Sequence, residues 1–166
     1  MTRTDLAEEL HRRADADQRA RNLWIETGEA EGLAQIDVDN TAWIKTVIAE
    51  HGWPGTALVG DRAADEAWLL VQHADRDPDF QSQALEHLKA AVEAGDAPAR
   101  HLAYLTDRVL VAAGKRQIYG TQYADDGNGL RPQPVHDPDG LDERRAAMGL
   151  DSAAAYDQRM RRTYTT

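Results

Sequence analysis

Residues suited to acid–base chemistry occur at three places in this sequence. His73 follows the apolar run from Trp68 to Val71, so its imidazole is expected to leave bulk water while still titrating near neutral pH. A carboxylate that orients the ring would complete a general base or acid, and Asp107 and Asp75 are the candidates for that role. The sequence therefore predicts His73, Asp107 and Asp75 as catalytic residues.

A second set of polar side chains lies in segments that are otherwise apolar. A buried polar group without a partner costs about 1–3 kcal/mol, so these side chains are expected to bind one another or a ligand. Arginine binds carboxylates or phosphates through paired hydrogen bonds, and side-chain amides orient a ligand or stabilise an oxyanion. The predicted binding residues are Asp17, Arg21, Gln72, Arg108, Gln117, Tyr119, Gln122 and Arg145.

The same residues also have a structural interpretation. His73 can brace two helices, and Asp107 can form a salt bridge between helices, for which Arg21 is one candidate partner. Arg21 also follows Asp17 by four residues, which is the spacing of an ordinary helical ion pair. Convergence of these elements on one hollow would favour a site over a brace.

A metal-dependent site is a weaker alternative. Its ligands would be His73 and Asp75 with Asp107 or His101. Residues two apart on a helix point about 200° apart, so His73 and Asp75 converge only if their helix ends near Ala74. We therefore predict no metal and no cofactor. Nucleophilic catalysis is not indicated either, because the sequence has no cysteine and no G-x-S-x-G motif.

Composition limits the class of protein. With 166 residues, 42% of them hydrophobic, the chain fits one domain spanning residues 1–166, with a core at about 4–150 and a C-terminal tail at about 157–166 that is expected to fray. The net charge of -10 argues against binding to nucleic acid, which depends on lysine and arginine contacts to phosphates. Because no apolar window is long enough for a membrane span or a secretory signal, we expect no membrane association and a cytoplasmic location.

Hydrophobic periodicity predicts a mainly α fold, a single-domain helical bundle of about five to seven helices with a small C-terminal β-hairpin. The first helix covers residues 4–26, and two short helices follow the hairpin. The predicted N-cap residues of the second to fifth helices are Asp39 or Asn40, Asp61, Asp77 and Asp96.

The hairpin is predicted from the segments RQIYGTQY and LRPQPV, which flank the turn sequence ADDGNG. Two prolines place the second strand at an edge. A bulge at Gly120 would bring Gln117 and Gln122 to the same side of the first strand. We therefore expect Gln117, Tyr119 and Gln122 to point at the helical core.

Seven short motifs occur in order along the chain: DQRAR, HGWPG, LVG, AWLLVQHAD, LAYLTDRVL, QIYGTQ and DERRAAMGL. Over roughly residues 15–156, this series resembles a bacterial family recorded as a domain of unknown function. The resemblance implies no particular activity or cofactor. The polar positions that it implies are Asp17, Gln18, Arg21, Gln72, His73, Asp75, Asp107, Arg108, Gln117, Tyr119, Gln122, Arg144 and Arg145.

These observations predict a small cofactor-independent enzyme that acts on a polar or anionic small molecule. His/Asp acid–base chemistry in a buried site lined by arginine and glutamine would carry out hydrolysis or rearrangement. The alternative is a noncatalytic module that binds a small ligand or a protein, of the sequestering or immunity type, with the polar cluster as a brace. The expected partner is a small molecule, and the sequence predicts no oligomeric state.

Overall fold

Helices form most of the regular structure in the computed structural model, which describes residues 2–164. The α-helices of this part of the chain are α1 Thr4–Thr27, α2 Leu33–His51, α3 Thr56–Val59, α4 Asp61–Gln72, α5 Pro78–Glu93, α6 Ala99–Ala112, α7 Leu141–Ala147 and α8 Ala153–Tyr164. The strands are β1 Tyr123–Asp125 and β2 Leu130–Pro132, which pair antiparallel, and a 3-10 turn, Pro138–Gly140, precedes α7. The predicted mainly α fold with a small hairpin near the C-terminus is confirmed.

The chain divides into two compact units, Met1–Ala97 and Pro98–Thr166. The expectation of a single domain stays a prediction. In the predicted tail, α8 continues to Tyr164, and residues 165–166 lie outside the described part of the chain. Among residues 2–164, no helix is both long and apolar enough to cross a membrane.

Helix α4 lies at the centre of the first unit, in contact with α1, α2, α3 and α5. Its alanines precede a run of large apolar residues, and Ala67, Leu70 and Val71 are almost completely buried. The alanines let neighbouring helices approach closely, and Leu10 of α1 and Ile44 of α2 are fully buried as well. Helices α1, α2 and α4 thus form a rigid frame for the polar side chains that they carry.

Helix α2 begins earlier than predicted, at Leu33 rather than after a cap at Asp39 or Asn40. The physical reason is that the Asn40 side chain does not serve the helix's own N–H groups. Its Oδ1 atom accepts a hydrogen bond from Arg13 of α1 instead. Without a capping interaction there, and with helix-compatible residues before it, α2 extends back to Gly32.

Of the N-cap residues predicted for the third to fifth helices, one caps its helix and two do not. Asp77 caps α5 as expected, since its side chain accepts a hydrogen bond from the Phe80 N–H. Asp61 is the first residue of α4 rather than its cap. Asp96 does not cap α6, because its carboxylate accepts from the Ala57 N–H of the short helix α3.

In the second unit, the predicted first strand is largely a loop. Residues 116–122 lie outside β1, with a single parallel bridge between Gln117 and Val135. The ladder is short because a side chain, the Asp107 carboxylate, takes the backbone N–H groups that a partner strand would need. Gly120 has a φ of 66° and sits in a left-handed turn of this loop rather than in a bulge.

Candidate acid–base site

Helix α1 carries Asp17 and Arg21 one turn apart, on the stripe that also holds the buried Leu10 and Ala14. Residues four apart on a helix share a face, so the carboxylate and the guanidinium both point toward the neighbouring helices. Asp17 is completely buried, whereas about a fifth of the Arg21 side chain is exposed. The arrangement places a buried anion behind a partly accessible cation.

His73 directly follows α4, in the turn that ends the helix. The last carbonyls of a helix lack partners within it. Gln81 of α5 supplies partners, because its buried Nε2 donates to the carbonyls of Val71 and Gln72. The same nitrogen donates to Asp75 Oδ1. Gln81 therefore fixes the turn that presents the imidazole.

The imidazole of His73 meets the carboxylate of Asp17. The distance from Nδ1 of His73 to Oδ2 of Asp17 is 2.8 Å, and Nε of Arg21 lies 2.9 Å from the same ring nitrogen. The Arg21 Nε–H points at Nδ1 as a donor, whereas an ionised carboxylate can only accept, so Nδ1 cannot serve both partners in one protonation state. We assign the proton to Nδ1, which donates it to Asp17, because the pKa of Asp17 is lowered and the carboxylate is ionised. The Arg21 Nε–H then donates to the carboxylate, whose oxygens both lie 3.3 Å away. This assignment leaves Nε2 as the ring nitrogen with a free lone pair.

Asp17 is held in its ionised form. Burial alone would raise its pKa, but the hydrogen bond and charge of His73, the charge of Arg21 and the Gln18 amide outweigh burial and lower it. The Gln18 Nε2 atom lies 3.0 Å from Oδ2 of Asp17. The carboxylate is therefore a permanent acceptor that orients the ring.

A second carboxylate, Asp37 of α2, binds the other side of the Arg21 guanidinium. Nη2 of Arg21 lies 2.5 Å from Oδ1 of Asp37. The pKa of Asp37 is nevertheless raised, first by burial and also by the nearby negative charge of Asp17, against the attraction of Arg21. One guanidinium is shared between two carboxylates, so it does not fully offset the burial of Asp37. The surroundings thus shift the pKa values of the two carboxyl groups in opposite directions, a pattern of acid–base sites.

We expect the substitution Asp37→Asn to stabilise the protein near pH 7, by on the order of 1 kcal/mol. A carboxyl whose folded-state pKa is raised favours folding below its ordinary pKa of 3.8, and this contribution is lost as the pH rises through the folded-state pKa. At neutral pH the ionised Asp37 therefore lowers the free energy of unfolding, and the neutral amide of asparagine removes this effect. Urea unfolding at pH 7 measures the difference, with the exposed Asp39→Asn as control. A clear loss of stability in Asp37→Asn would mean that the Arg21 attraction dominates.

The cluster of Asp17, Arg21, Asp37 and His73 can exchange protons and bind an anion. The Arg21 nitrogens Nε and Nη2 are engaged, and no described residue accepts from Nη1. The side chains of His73, Asp37 and Arg21 are between 16% and 22% exposed, so each can reach a solvent-borne molecule. Within residues 2–164, no group of three histidine, cysteine or acidic side chains could hold a metal ion.

In the second unit, Asp107 organises a loop. Its fully buried carboxylate accepts from the N–H groups of Ile118, Tyr119 and Thr121, at 2.7–3.2 Å, and from the Thr121 hydroxyl at 2.9 Å. Four donors on two oxygens fill most of the acceptor capacity of a carboxylate. These contacts favour a structural role for Asp107.

The two glutamines of the QIYGTQ motif bind each other. The Gln117 side chain donates to the carbonyls of Gln122 and Gln133 and accepts from the Gln122 N–H. Gln117 is fully buried, whereas Gln122 is partly exposed. The Gln122 amide donates to Thr121 and accepts from Arg108 at 3.2 Å. The orientation of this loop is therefore fixed by side-chain amides in place of a strand ladder.

The two arginines of α7 hold the same loop to the end of the second unit. Arg145 is fully buried and donates to the carbonyls of Tyr119 and Asp151 and to the Asp151 carboxylate. Arg144 donates to the carbonyls of Ile118, His136 and Asp137. All three Arg145 nitrogens are engaged by the chain itself, which favours a structural role over a ligand clamp.

The structure brings together only part of the predicted set in each unit. In the first unit, Asp17 and Arg21 contact the His73 ring and Gln18 binds Asp17. The carboxylate on the ring is Asp17 rather than Asp75. In the second unit, the predicted residues Asp107, Arg108, Gln117, Tyr119, Gln122 and Arg145 are linked through the loop at 117–122. That all of them share one hollow stays a prediction.

Sequence reasoning missed three residues of these clusters. Asp37 was placed before the second helix, although it lies three and seven residues before the buried Asn40 and Ile44, a spacing that indicates a shared face. Gln81 and Thr121 are also buried and bonded. Gln72 is buried as predicted, and no described residue accepts from its Nε2 atom.

Fold and site together define a mainly helical protein in which a buried aspartate binds a partly exposed histidine and arginine. The chain belongs to the Family of unknown function (DUF6624), whose model matches residues 4–166. This membership confirms the resemblance to a family of unknown function. No curated protein and no solved structure matches the chain.

Proposed function

We propose that the protein is a small enzyme that needs no cofactor and acts on a polar or anionic small molecule by acid–base chemistry. The observation that carries the proposal is the 2.8 Å contact between Nδ1 of a partly exposed His73 and a fully buried, ionised Asp17. A carboxylate on Nδ1 fixes the ring tautomer and stabilises the imidazolium that forms when Nε2 takes a proton. In this proposal Asp17 takes the orienting role that the sequence analysis gave to Asp107 or Asp75.

Asp37 and Arg21 complete the proposed chemistry. His73 removes a proton from the substrate or from water through Nε2. The His73 imidazolium then returns that proton to the leaving group or to the rearranged product, while Asp37 holds the Arg21 guanidinium in place. Arg21 binds a carboxylate or phosphate of the substrate through Nη1, with its other nitrogens held by Asp17 and Asp37. Hydrolysis and proton-transfer rearrangement both fit these roles, and we place the enzyme in the bacterial cytoplasm.

The substitution His73→Ala tests the proposal. The full chain is incubated with pooled small carboxylates and phosphate esters, and substrate loss is followed by NMR. We expect turnover by the wild type and by His87→Ala, which removes an exposed histidine of the same unit, and a loss of about 10²-fold or more in His73→Ala. Turnover that survives in His73→Ala would contradict the proposal.

The alternative is a noncatalytic module that binds a small ligand or a protein partner. The saturation of Asp107 and the complete burial of Arg145 favour it, because both groups brace the chain and leave nothing for a substrate. In the same experiment, this alternative predicts binding without turnover and ligand affinity that is unchanged in His73→Ala.

A further inference from the structure

A cavity of about 530 Å³ lies between α1 and α2, apart from the proposed acid–base site. Asp17, Arg21, Asp37 and His73 do not line it. Its wall combines the arginines of α1 with an acidic side chain, an aromatic ring and a buried amide of α2. Its lining includes Arg12, Arg13, Asp39, Asn40, Trp43 and Thr46. The volume is within the range of small-molecule sites, about 300–1,000 Å³.

Asn40 is the unusual member of this wall. Only 5% of the residue is exposed, and no described residue accepts from its Nδ2 atom. The amide cannot be turned round to relieve this, because Oδ1 accepts from Nη1 of Arg13 at 3.1 Å and a flip would set two donors against each other. A buried donor with no acceptor is destabilising and needs a reason. Asn40 lines the cavity, so a molecule bound there supplies the missing acceptor once the atoms that cover Nδ2 move aside.

The rest of the wall indicates what carries that acceptor. The guanidinium of Arg13 lies over the Trp43 ring, 4.8 Å from its centre, and covers one face of the indole, so a planar ligand would stack on the other indole face or on the guanidinium. Glu9 binds both Arg12 and Arg13, so the cationic charge of this wall is partly neutralised. A flat ring matches the indole and guanidinium planes, and a carbonyl or carboxylate oxygen matches Nδ2.

We propose that the α1–α2 cavity binds a small planar molecule bearing a carbonyl or carboxylate oxygen, which accepts a hydrogen bond from Asn40 Nδ2. Benzamide and benzoate represent the neutral and the anionic form of this ligand class. Benzylamine has the same ring and lacks the acceptor, so it serves as the control probe.

The test is an NMR titration of the full, ¹⁵N-labelled chain with each probe at millimolar concentration. We expect benzamide or benzoate to shift the Trp43 indole N–H and the Asn40 side-chain amide, while Trp24, which lies elsewhere on α1, stays unchanged. Benzylamine should leave all of these signals in place. No shift at Trp43 with either acceptor-bearing probe would overturn the proposal.

The variant Asn40→Asp identifies the recognising atom. Aspartate keeps the acceptor for Arg13, so the helix contact survives, but it replaces the Nδ2 donor with a second oxygen. We expect the affinity for the bound probe to fall roughly tenfold or more, whereas the wall variant Thr46→Ala should change it less than about twofold. Unchanged affinity in Asn40→Asp would contradict the proposal, because it would show that the probe does not accept a hydrogen bond from Asn40 Nδ2. Probe binding at this cavity does not depend on the turnover attributed to His73. The proposed enzyme function and the proposed α1–α2 cavity can therefore be contradicted independently.

Discussion

Replacing Asp107 with alanine is expected to destabilise the protein by about 4 kcal/mol or more, a large share of the 5–15 kcal/mol typical of whole domains. The substitution strands three backbone N–H groups and the Thr121 hydroxyl in a buried environment. Each unsatisfied donor costs about 1–3 kcal/mol before the loop relaxes or admits water. Urea unfolding of the full chain measures the loss.

Two further variants make this test specific. Asp107→Asn keeps one acceptor oxygen but turns an NH₂ group toward the loop, so we expect roughly half the effect of alanine. Asp139→Ala removes an exposed carboxylate of the same unit that accepts no hydrogen bond from the described residues, and it should change stability by less than about 0.5 kcal/mol. Amide exchange at Ile118, Tyr119 and Thr121 should accelerate in the Asp107 variants. Unchanged protection there would show that another group holds the loop.

Asp17→Asn is expected to lower stability by about 3 kcal/mol at pH 7. Removing the charge of Asp17 from this buried cluster weakens the acceptor of the His73 Nδ1–H and leaves Arg21 with Asp37 as its one carboxylate partner among the described residues. A carboxyl with a lowered folded-state pKa contributes stability above its ordinary value of 3.8, and this contribution disappears as the pH falls through the folded-state pKa. The stability gap between wild type and Asp17→Asn should therefore be present at pH 7 and close as the pH falls through the folded-state pKa of Asp17. Urea unfolding at pH 7 and at lower pH gives the profile.

Two measurements separate this effect from general damage to α1. Asp15→Asn removes an exposed carboxylate of the same helix, 3.7 Å from Arg62, and should cost less than about 1 kcal/mol. The ¹⁵N spectrum of His73 should report Nδ1–H in the wild type and a population of Nε2–H in Asp17→Asn. A ring that stays in the Nδ1–H form without the carboxylate would contradict the orienting role of Asp17.

Local patterns in the sequence predicted much of the fold. Periodicity located the long helices, and the Asp77-Pro78 pair marked the start of α5, because these signals act within one turn of helix. Burial arguments also identified Asp17, Gln72, Asp107 and Gln117 as interior residues, and all are less than 5% exposed.

The misses share a physical cause, which is competition from distant parts of the chain. Arg13 of α1 takes the Asn40 side chain, so a residue that resembles a helix cap lies inside α2. Asp107 of α6 takes the N–H groups of a segment with strand-like composition, so that segment becomes a loop. The choice of Asp17 over Asp75 as the partner of His73 likewise depends on how α1 packs against α4, which spacing along the chain does not encode.

The hydrogen bonds from Gln81 to the end of α4 have a mechanical consequence. They couple the turn that holds His73 to the 16-residue helix α5, although His73 itself lies outside any helix. A tilt of α5 would therefore move this turn, and with it the imidazole, relative to Asp17 on α1. A molecule that binds the far end of α5 would therefore change the position of the imidazole without contacting it.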